Sequence, residues 1–510
     1  MKQVTLQRST LMLGALLALT ACGGGGGGND DPVVTDPPVT TNPPPTTQPP
    51  PPPPPPPPAP APTTQELVQQ YYDTVQKVTA TSLPAKGEDR YSFFDACALH
   101  NGRTKAASAS SWDATASGNA YTVGRTFANI QIVAERKTTN ADGSARHEVD
   151  VTVDTKYTDG TSLIGGAETL IAGSSSGTEG CTAPQTGAEM RFLGNRRKVN
   201  VEPISRNRVE TYRQLADGTT PTGAFRMRRE VAFTISDPAN VATYAVVSWG
   251  TTTTPYSMKL ISPRIARDAP EMQDAAGSGT YSDTGNFRQC RTSSANTEAN
   301  AAKGDCTSTT IGISGETWGS NITATDAAAR ATGDTNFDKL ALGTGAEVTF
   351  AIFADDGWKT VNGQSGKTPI ATYKVKIKNA SYPFAQMDIS AYPQFSTINP
   401  DTATIATQFK ATGGTATAAI QAAKPPTGGL PMALSSLASF RQGPKTTSAS
   451  GRYMVRGGKN ASFTAGATTA TIPFDGKPAD ASATTYGEFS MTYSDRNSRE
   501  MFYGLQFSKY

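Results

Sequence analysis

Residues 125–157, RTFANIQIVAERKTTNADGSARHEVDVTVDTKY, read as two β-strands folded about a turn. Asp142-Gly143 marks the turn, because glycine takes the positive φ that a tight hairpin needs. In the second arm Val149, Val151, Val153 and Tyr157 share one parity, and Glu148, Asp150, Asp154 and Lys156 share the other. A period of two with one apolar face predicts a half-buried strand of an antiparallel sheet. The rest of the chain is read outward from this hairpin.

Upstream, Thr63-Thr64-Gln65-Glu66 has the form of a capping box, and Leu67, Tyr71, Val75 and Val78 follow at helical spacing. A second short helix is expected over Tyr91 to Leu99, carrying Phe93, Phe94 and Cys97. Downstream, Asp159-Gly160 turns the chain again, and residues 189–214 hold two strand runs with a bend at Gly194-Asn195. From 213 the pattern is short strands: AFRMRREVAFTIS at 224–236, TYAVVSW at 243–249 and SMKLIS at 257–262. A Gly/Ser/Thr/Asp-rich insert occupies about 268–345. Then EVTFAIFADDGW (347–358), ATYKVKIKNA (371–380) and a C-terminal hairpin at 487–510 continue the strand pattern. In ATYKVKIKNA, Tyr373, Val375 and Ile377 alternate with Lys374, Lys376 and Lys378, a solvated face or an edge guard.

The front end differs in kind. Met1, Lys2 and Arg8 precede an apolar run from Leu11 to Leu19, the order of a secretory signal and too short to span a bilayer. It ends in Leu19-Thr20-Ala21-Cys22, which resembles the bacterial lipoprotein box, where the cysteine thiol takes a diacylglycerol. The resemblance implies a bacterial envelope protein held to the membrane through lipid on Cys22. Gly23, rather than Asp, is similar to the sorting pattern of outer-membrane lipoproteins. Six glycines then form a swivel, and a Pro/Thr-rich run to 62, with Pro49–Pro58 unbroken, forms a stiff polyproline spacer. About thirty such residues reach up to roughly 90 Å.

Helices followed by a curved antiparallel sheet resemble the cone-shaped fold of the ketosteroid-isomerase, or nuclear-transport-factor-like, superfamily. FFDACALHNGRTKA (93–106), AYTVGRTFANIQIVAER (120–136) and MRFLGNRRKVNV (190–201) are also similar to stretches of uncharacterised proteobacterial surface lipoproteins. The likeness covers about 64–265, implies the fold, and brings no activity with it. The expected organisation is therefore a lipoprotein signal at 1–22, a disordered Gly/Pro-rich linker at 23–62, and an α+β cone-like domain at 63–212. A β-rich region with a disulfide-stapled insert follows at 213–345, and an immunoglobulin-like β-sandwich at 346–510.

Beyond Cys22 the chain has Cys97, Cys181, Cys290 and Cys306, an even number that in an exported chain implies two disulfides with three possible pairings. Cys97–Cys181 and Cys290–Cys306 are favoured, each within one expected domain. With no C-x-x-C spacing and only two histidines, neither a metal nor another cofactor is expected.

Catalytic patterns are thin. Gly173-Ser174-Ser175-Ser176-Gly177 matches G-x-S-x-G, but no histidine follows it and the flanks read as loop. His147 shares parity with Val149 and would point toward the mouth of a cone, which makes it the one candidate polar group there. His100 is expected to cap a helix end or to lie exposed. The carboxylates of the 148–154 strand lie opposite its valines, so no catalytic carboxylate is assigned. Asp334-Thr335-Asn336-Phe337-Asp338 begins like a calcium loop but has Lys339 where glycine is needed, so a polar turn is expected.

Residues 189–230 carry ten Arg or Lys against five Asp or Glu. Arg196, Arg197 and Lys198 are the candidate contacts to an anionic ligand, since guanidinium forks match carboxylate and phosphate. Few aromatics are set among these cations, so no specific nucleic acid is expected. The functional expectation is a non-catalytic envelope lipoprotein with a binding or structural role. Its partners would be the membrane, through the lipid, and an anionic surface polymer or envelope protein. The alternatives are a hydrolase or isomerase acting in the cone cavity, or an accessory subunit of an envelope assembly.

Overall fold

A computed structural model describes residues 60–81, 91–111, 122–212, 225–262, 287–289, 317–359, 363–444, 454–464, 466–476 and 486–507. Cys22, nearly all of the linker, and both Cys290 and Cys306 lie outside these residues. The described part is mainly β, built of several sheets.

The capping box forms as read: the Thr63 hydroxyl accepts from Glu66 N–H, and the Glu66 carboxylate accepts from Thr63 N–H. It opens α1 (Thr64–Val78), which buries Val68, Tyr71, Tyr72 and Val75 along one side. A two-residue pair, β1 (Leu99–His100) with β2 (Arg103–Thr104), precedes α2 (Lys105–Ser111). The hairpin at 125–157 is β3 (Thr126–Thr139) and β4 (Ala145–Lys156), with Gly143 at φ +82° in the turn. β5 (Ser162–Gly173), a strand the sequence reading lacks, and β6 (Arg191–Phe192) extend it to an antiparallel sheet of order β3-β4-β5-β6. The valine face of β4 packs with Leu170, Ala172 and Phe192 against α1. Each large side chain so buried contributes roughly 1.5–3 kcal/mol.

The helix expected over Tyr91–Leu99 does not form. These residues make turns and pair with β6, Phe94 bridging Phe192. Asp95 explains this: fully buried, its carboxylate takes Arg191 Nε at 2.9 Å and Cys97 N–H at 2.8 Å, and its N–H donates to Phe192 O. Beside it, the Cys97–Cys181 disulfide is present. It links residues 84 apart, a closure worth about 4.5 kcal/mol in the chain-entropy account.

The remaining strands make a sandwich. β7 (Asn200–Tyr212) and β8 (Phe225–Ser236) form a hairpin. β9 (Tyr244–Gly250), β10 (Pro255–Ile261) and β11 (Arg288–Gln289) follow, then β12 (Thr317–Ile322), α3 (Ala327–Asp338), β13 (Glu347–Phe353) and β14 (Ala371–Lys376). β15 (Gln394–Asn399), α4 (Thr402–Lys410), β16 (Gly413–Gln421), β17 (Ala433–Pro444), β18 (Met454–Asn460), β19 (Thr469–Asp475), β20 (Tyr486–Ser494) and β21 (Arg499–Gln506) complete the chain.

A seven-stranded sheet of order β12-β8-β7-β21-β20-β17-β18 forms a common wall. Half of its apolar side, with Val201, Val231 and Phe233, packs on the five-stranded sheet β11-β10-β9-β13-β14 through Val247, Trp249 and Phe350. The other half, with Phe489, Met501 and Leu505, packs on the three-stranded sheet β15-β16-β19 and on Phe409 of α4. Strand pairing crosses both expected divisions: β7 with β8 spans 212/213, and β9 with β13 spans 345/346. β7 also pairs in parallel with β21, so three of the seven strands of the wall precede 346. The stretch 334–338 is helix rather than polar turn, because Asp326 caps α3 and Phe337 is buried.

Phe489 is fully buried among Phe409, Phe474 and Phe507, with ring centroids 5.2–5.6 Å away. Phe489→Ala is expected to lower unfolding stability by about 3–5 kcal/mol, measured by urea titration against the unchanged chain.

Candidate functional site

Between α1 and the first sheet lies a cavity of about 410 Å³. Such a volume falls in the ~300–1,000 Å³ range of small-molecule sites. Aromatic rings form most of its wall: Tyr71 and Tyr72 from α1, Phe93 and Phe94 from the turns, Phe127 from β3 and Phe192 from β6. They interlock edge to face or tilted, with Tyr72 5.0 Å from Phe127 and Phe94 4.5 Å from Phe192.

One wall is polar. Glu168 sits on β5 at the parity of Leu170 and Ala172, so the pleat turns it inward with them. Tyr72 donates its hydroxyl to Glu168 Oε2 at 3.0 Å. The half-buried Glu168 lines the cavity. Burial holds it above the ordinary carboxylate range, against the Tyr72 hydrogen bond and the charge of Arg125. The same burial, and then the Glu168 charge, raise the Tyr72 phenol. Arg125 lies over Phe127, 5.4 Å from its centroid, and its Nε makes no hydrogen bond.

His100 completes this wall. It stacks at a tilt on Phe192, centroids 5.3 Å apart, and its Nδ1 is buried without a hydrogen-bond partner. Burial, and then the Arg197 charge, lower it from 6.5 to about 4, so the ring is neutral at pH 7. It is thus neither a helix cap nor exposed, because the turns over 91–98 carry it into the cavity. The arrangement offers a protonatable carboxyl, a phenol, a neutral imidazole and a guanidinium beside stacked rings. It can bind a ring-bearing molecule with polar groups on one side, and it can move a proton.

The residues singled out from sequence lie elsewhere. His147 keeps the inner parity but stands at the N-terminal end of α1, where its Nε2 meets Glu135 Oε1 at 2.8 Å and Thr64 donates to the same oxygen at 2.6 Å. Arg196 donates to Cys97 O and Glu179 O, Lys198 pairs with Glu179 at 3.2 Å, and Arg197 lies 5.4 Å over the Tyr373 ring. The three do not converge on one open site. The other cations of 189–230 are mostly spent on acids across the wall. Arg208, Arg226 and Arg228 surround Glu210, Arg206 holds Glu500 at 2.7 Å, and Arg229 holds Asp334 at 2.6 Å. Burial pushes the Glu210 carboxyl up, but its three arginines outweigh that and bring it to about 2.

Ser174–Ser176 lie in a loop, where the Ser175 hydroxyl accepts from Gln185 N–H rather than meeting a histidine. Among the described residues no three His, Cys, Asp or Glu gather as a metal site, and no helix is long and apolar enough to cross a membrane. Sequence reasoning missed Glu168. Its one signal is an acid on the apolar parity of SLIGGAETLIAG (162–173).

His100 gives a pH signature. As pH falls from 6.5 toward 4 the unfolded chain takes a proton that the folded state refuses, so stability falls across that window. Glu168 acts in the opposite sense, its stabilising proton being lost as pH rises through its elevated folded value. In urea unfolding from pH 4 to 7, His100→Gln is expected to flatten the acid-side slope, by up to about 3 kcal/mol over the window.

No protein-family model and no curated protein matches the chain. One solved chain, from a study titled "Structural insight into host cell surface retention of a 1.5-MDa bacterial ice-binding adhesin", is 11% identical, covering 71% of this chain and 89% of that one. Its TM-score is 0.13, a level that supports no transfer of fold or activity.

Proposed function

We propose that this is a bacterial envelope lipoprotein whose folded part binds a small ring-bearing molecule in the cavity under α1. The observation that carries the ligand reading is the polar wall of Glu168, Tyr72 and His100 within an aromatic shell. A buried imidazole nitrogen with no partner costs free energy unless a ligand completes it. The lipid-box resemblance at Cys22 and the polyproline run support attachment at the outer membrane with the body held away on a spacer. A helix laid over the apolar side of a four-stranded antiparallel sheet supports reading 63–212 as cone-like.

The test is native mass spectrometry of the protein released from its host envelope. A reproducible added mass is expected, and it should be lost or sharply reduced in His100→Ala and Glu168→Gln, each checked by circular dichroism to be folded. A bare mass in the parent protein, together with no gain of thermal stability from any ring compound in a screen, removes the reading.

The Tyr72–Glu168 hydrogen bond favours a second reading, an isomerase-type enzyme in which Glu168 relays a proton. On that reading Glu168→Gln should abolish turnover, by about 10²-fold or more, while the ligand mass persists. Equal turnover in the variant would dismiss Glu168 as the relay, and no turnover in the parent protein would leave binding alone.

A further inference from the structure

A second concavity, of about 740 Å³, is separate from the first. It opens between Ile164 of β5, the segment 378–386, the loop 426–430, Asn497, and Arg499 at the start of β21. Its charged lining groups among the described residues are all cationic: Arg229, Lys378 and Arg499. Arg229 is held by Asp334, but neither Lys378 nor Arg499 makes a salt bridge within the described residues. Lys378 Nζ reaches only the Ile164 carbonyl, at 3.3 Å. Arg499 gives Nε to Ala380 O at 2.9 Å and lays its guanidinium 4.0 Å over the Tyr382 ring.

Each of these two cations lies within reach of one acid's charge, Arg499 of Asp495 and Lys378 of Glu202. Asp495, fully buried, accepts from the N–H groups of Asn497 and Arg499, and Glu202 accepts from the Ser498 hydroxyl. Thr344, Asn379, Gln386 and Thr427 also line the cleft, the Thr344 hydroxyl accepting from Ala380 N–H at 2.9 Å. The Ser381 hydroxyl and Arg229 Nε are buried there without hydrogen-bond partners. Pro383, Pro426 and Leu430 give short apolar faces between them. The loop is seated closely, since a Cβ on Gly429 would lie 2.5 Å from the Tyr382 hydroxyl.

We propose that this cleft binds an acidic saccharide, its carboxylate between Lys378 and Arg499 and its hydroxyls on the surrounding amides and hydroxyls. The volume exceeds what a lone inorganic anion fills. The lining mixes many short polar groups with small apolar faces, the pattern that suits a polyhydroxylated ring better than a peptide side chain. The proposal does not rest on the cavity reading, because the two sites share no lining residue.

The experiment is calorimetric titration of the full chain with uronate and sialate oligosaccharides, beside their methyl esters, which keep the ring and lose the charge. At least one acid form is expected to bind, with its ester about tenfold weaker or more. Lys378→Ala and Arg499→Gln should each weaken binding by about tenfold, and Lys378→Arg should retain it. Lys378 is exposed, so its variant tests the site even if the Arg499 variant fails to fold. Binding of no acid form, equal binding of the esters, unchanged affinity in Lys378→Ala, or full competition by inorganic sulfate at equal concentration would each overturn the proposal.

Discussion

The fold depends on the parallel pairing of β7 with β21, which sets Arg499–Gln506 beside Ser205–Tyr212 across some three hundred residues of chain. Closing so long a loop is entropically costly, and the cost is offset only when much surface is buried at once. The pairing does this by joining the β12-β8-β7 half of the wall to the β21-β20-β17-β18 half, so that one sheet supports two packed cores. A buried side chain fixes the junction to its surroundings. Asn207 donates to Tyr382 O and accepts from Tyr382 N–H, both at 2.8 Å, and so replaces a strand partner for that segment.

The same wall accounts for most of the charge in the strongly basic stretch. On the side of β7 and β8 away from the cores, Arg206, Arg208, Arg226 and Arg228 alternate with Glu210, Glu230 and Glu500. Cross-strand neighbours stand about 5 Å apart, so opposite charges at matched register satisfy one another. Their positive count in sequence becomes a ladder of pairs in space. The cations left for a ligand are single residues from distant segments, Lys378 and Arg499, which no local charge count selects.

In the cavity under α1 the balance differs. Aromatic packing supplies the stabilisation, and the polar groups work against it. A carboxyl held by the Tyr72 hydroxyl, and an imidazole nitrogen and a guanidinium Nε without hydrogen bonds, lower stability unless something completes them. Proteins retain such arrangements where a ligand or a reaction requires them. This contrasts with Asp95 and Arg191, more deeply buried and fully engaged, which serve to hold the turns over 91–98 in place.

Sequence alone determined the elements whose cause is local. The capping box at Thr63, the hairpin about Asp142-Gly143, the valine face of β4 and the C-terminal hairpin all form where short-range pattern puts them. Tertiary structure decided whatever depends on a distant partner. The helix expected at 91–99 yields to Asp95 meeting Arg191, and the expected divisions at 212/213 and 345/346 are bridged by strand pairs. His147 and His100 exchange expected places because the path of the turns, not strand parity, carries His100 inward. Glu168 was legible only as an acid on an apolar parity. Its partner Tyr72 stands 96 residues away, and only packing α1 onto the sheet brings phenol and carboxyl together where burial shifts their acidities.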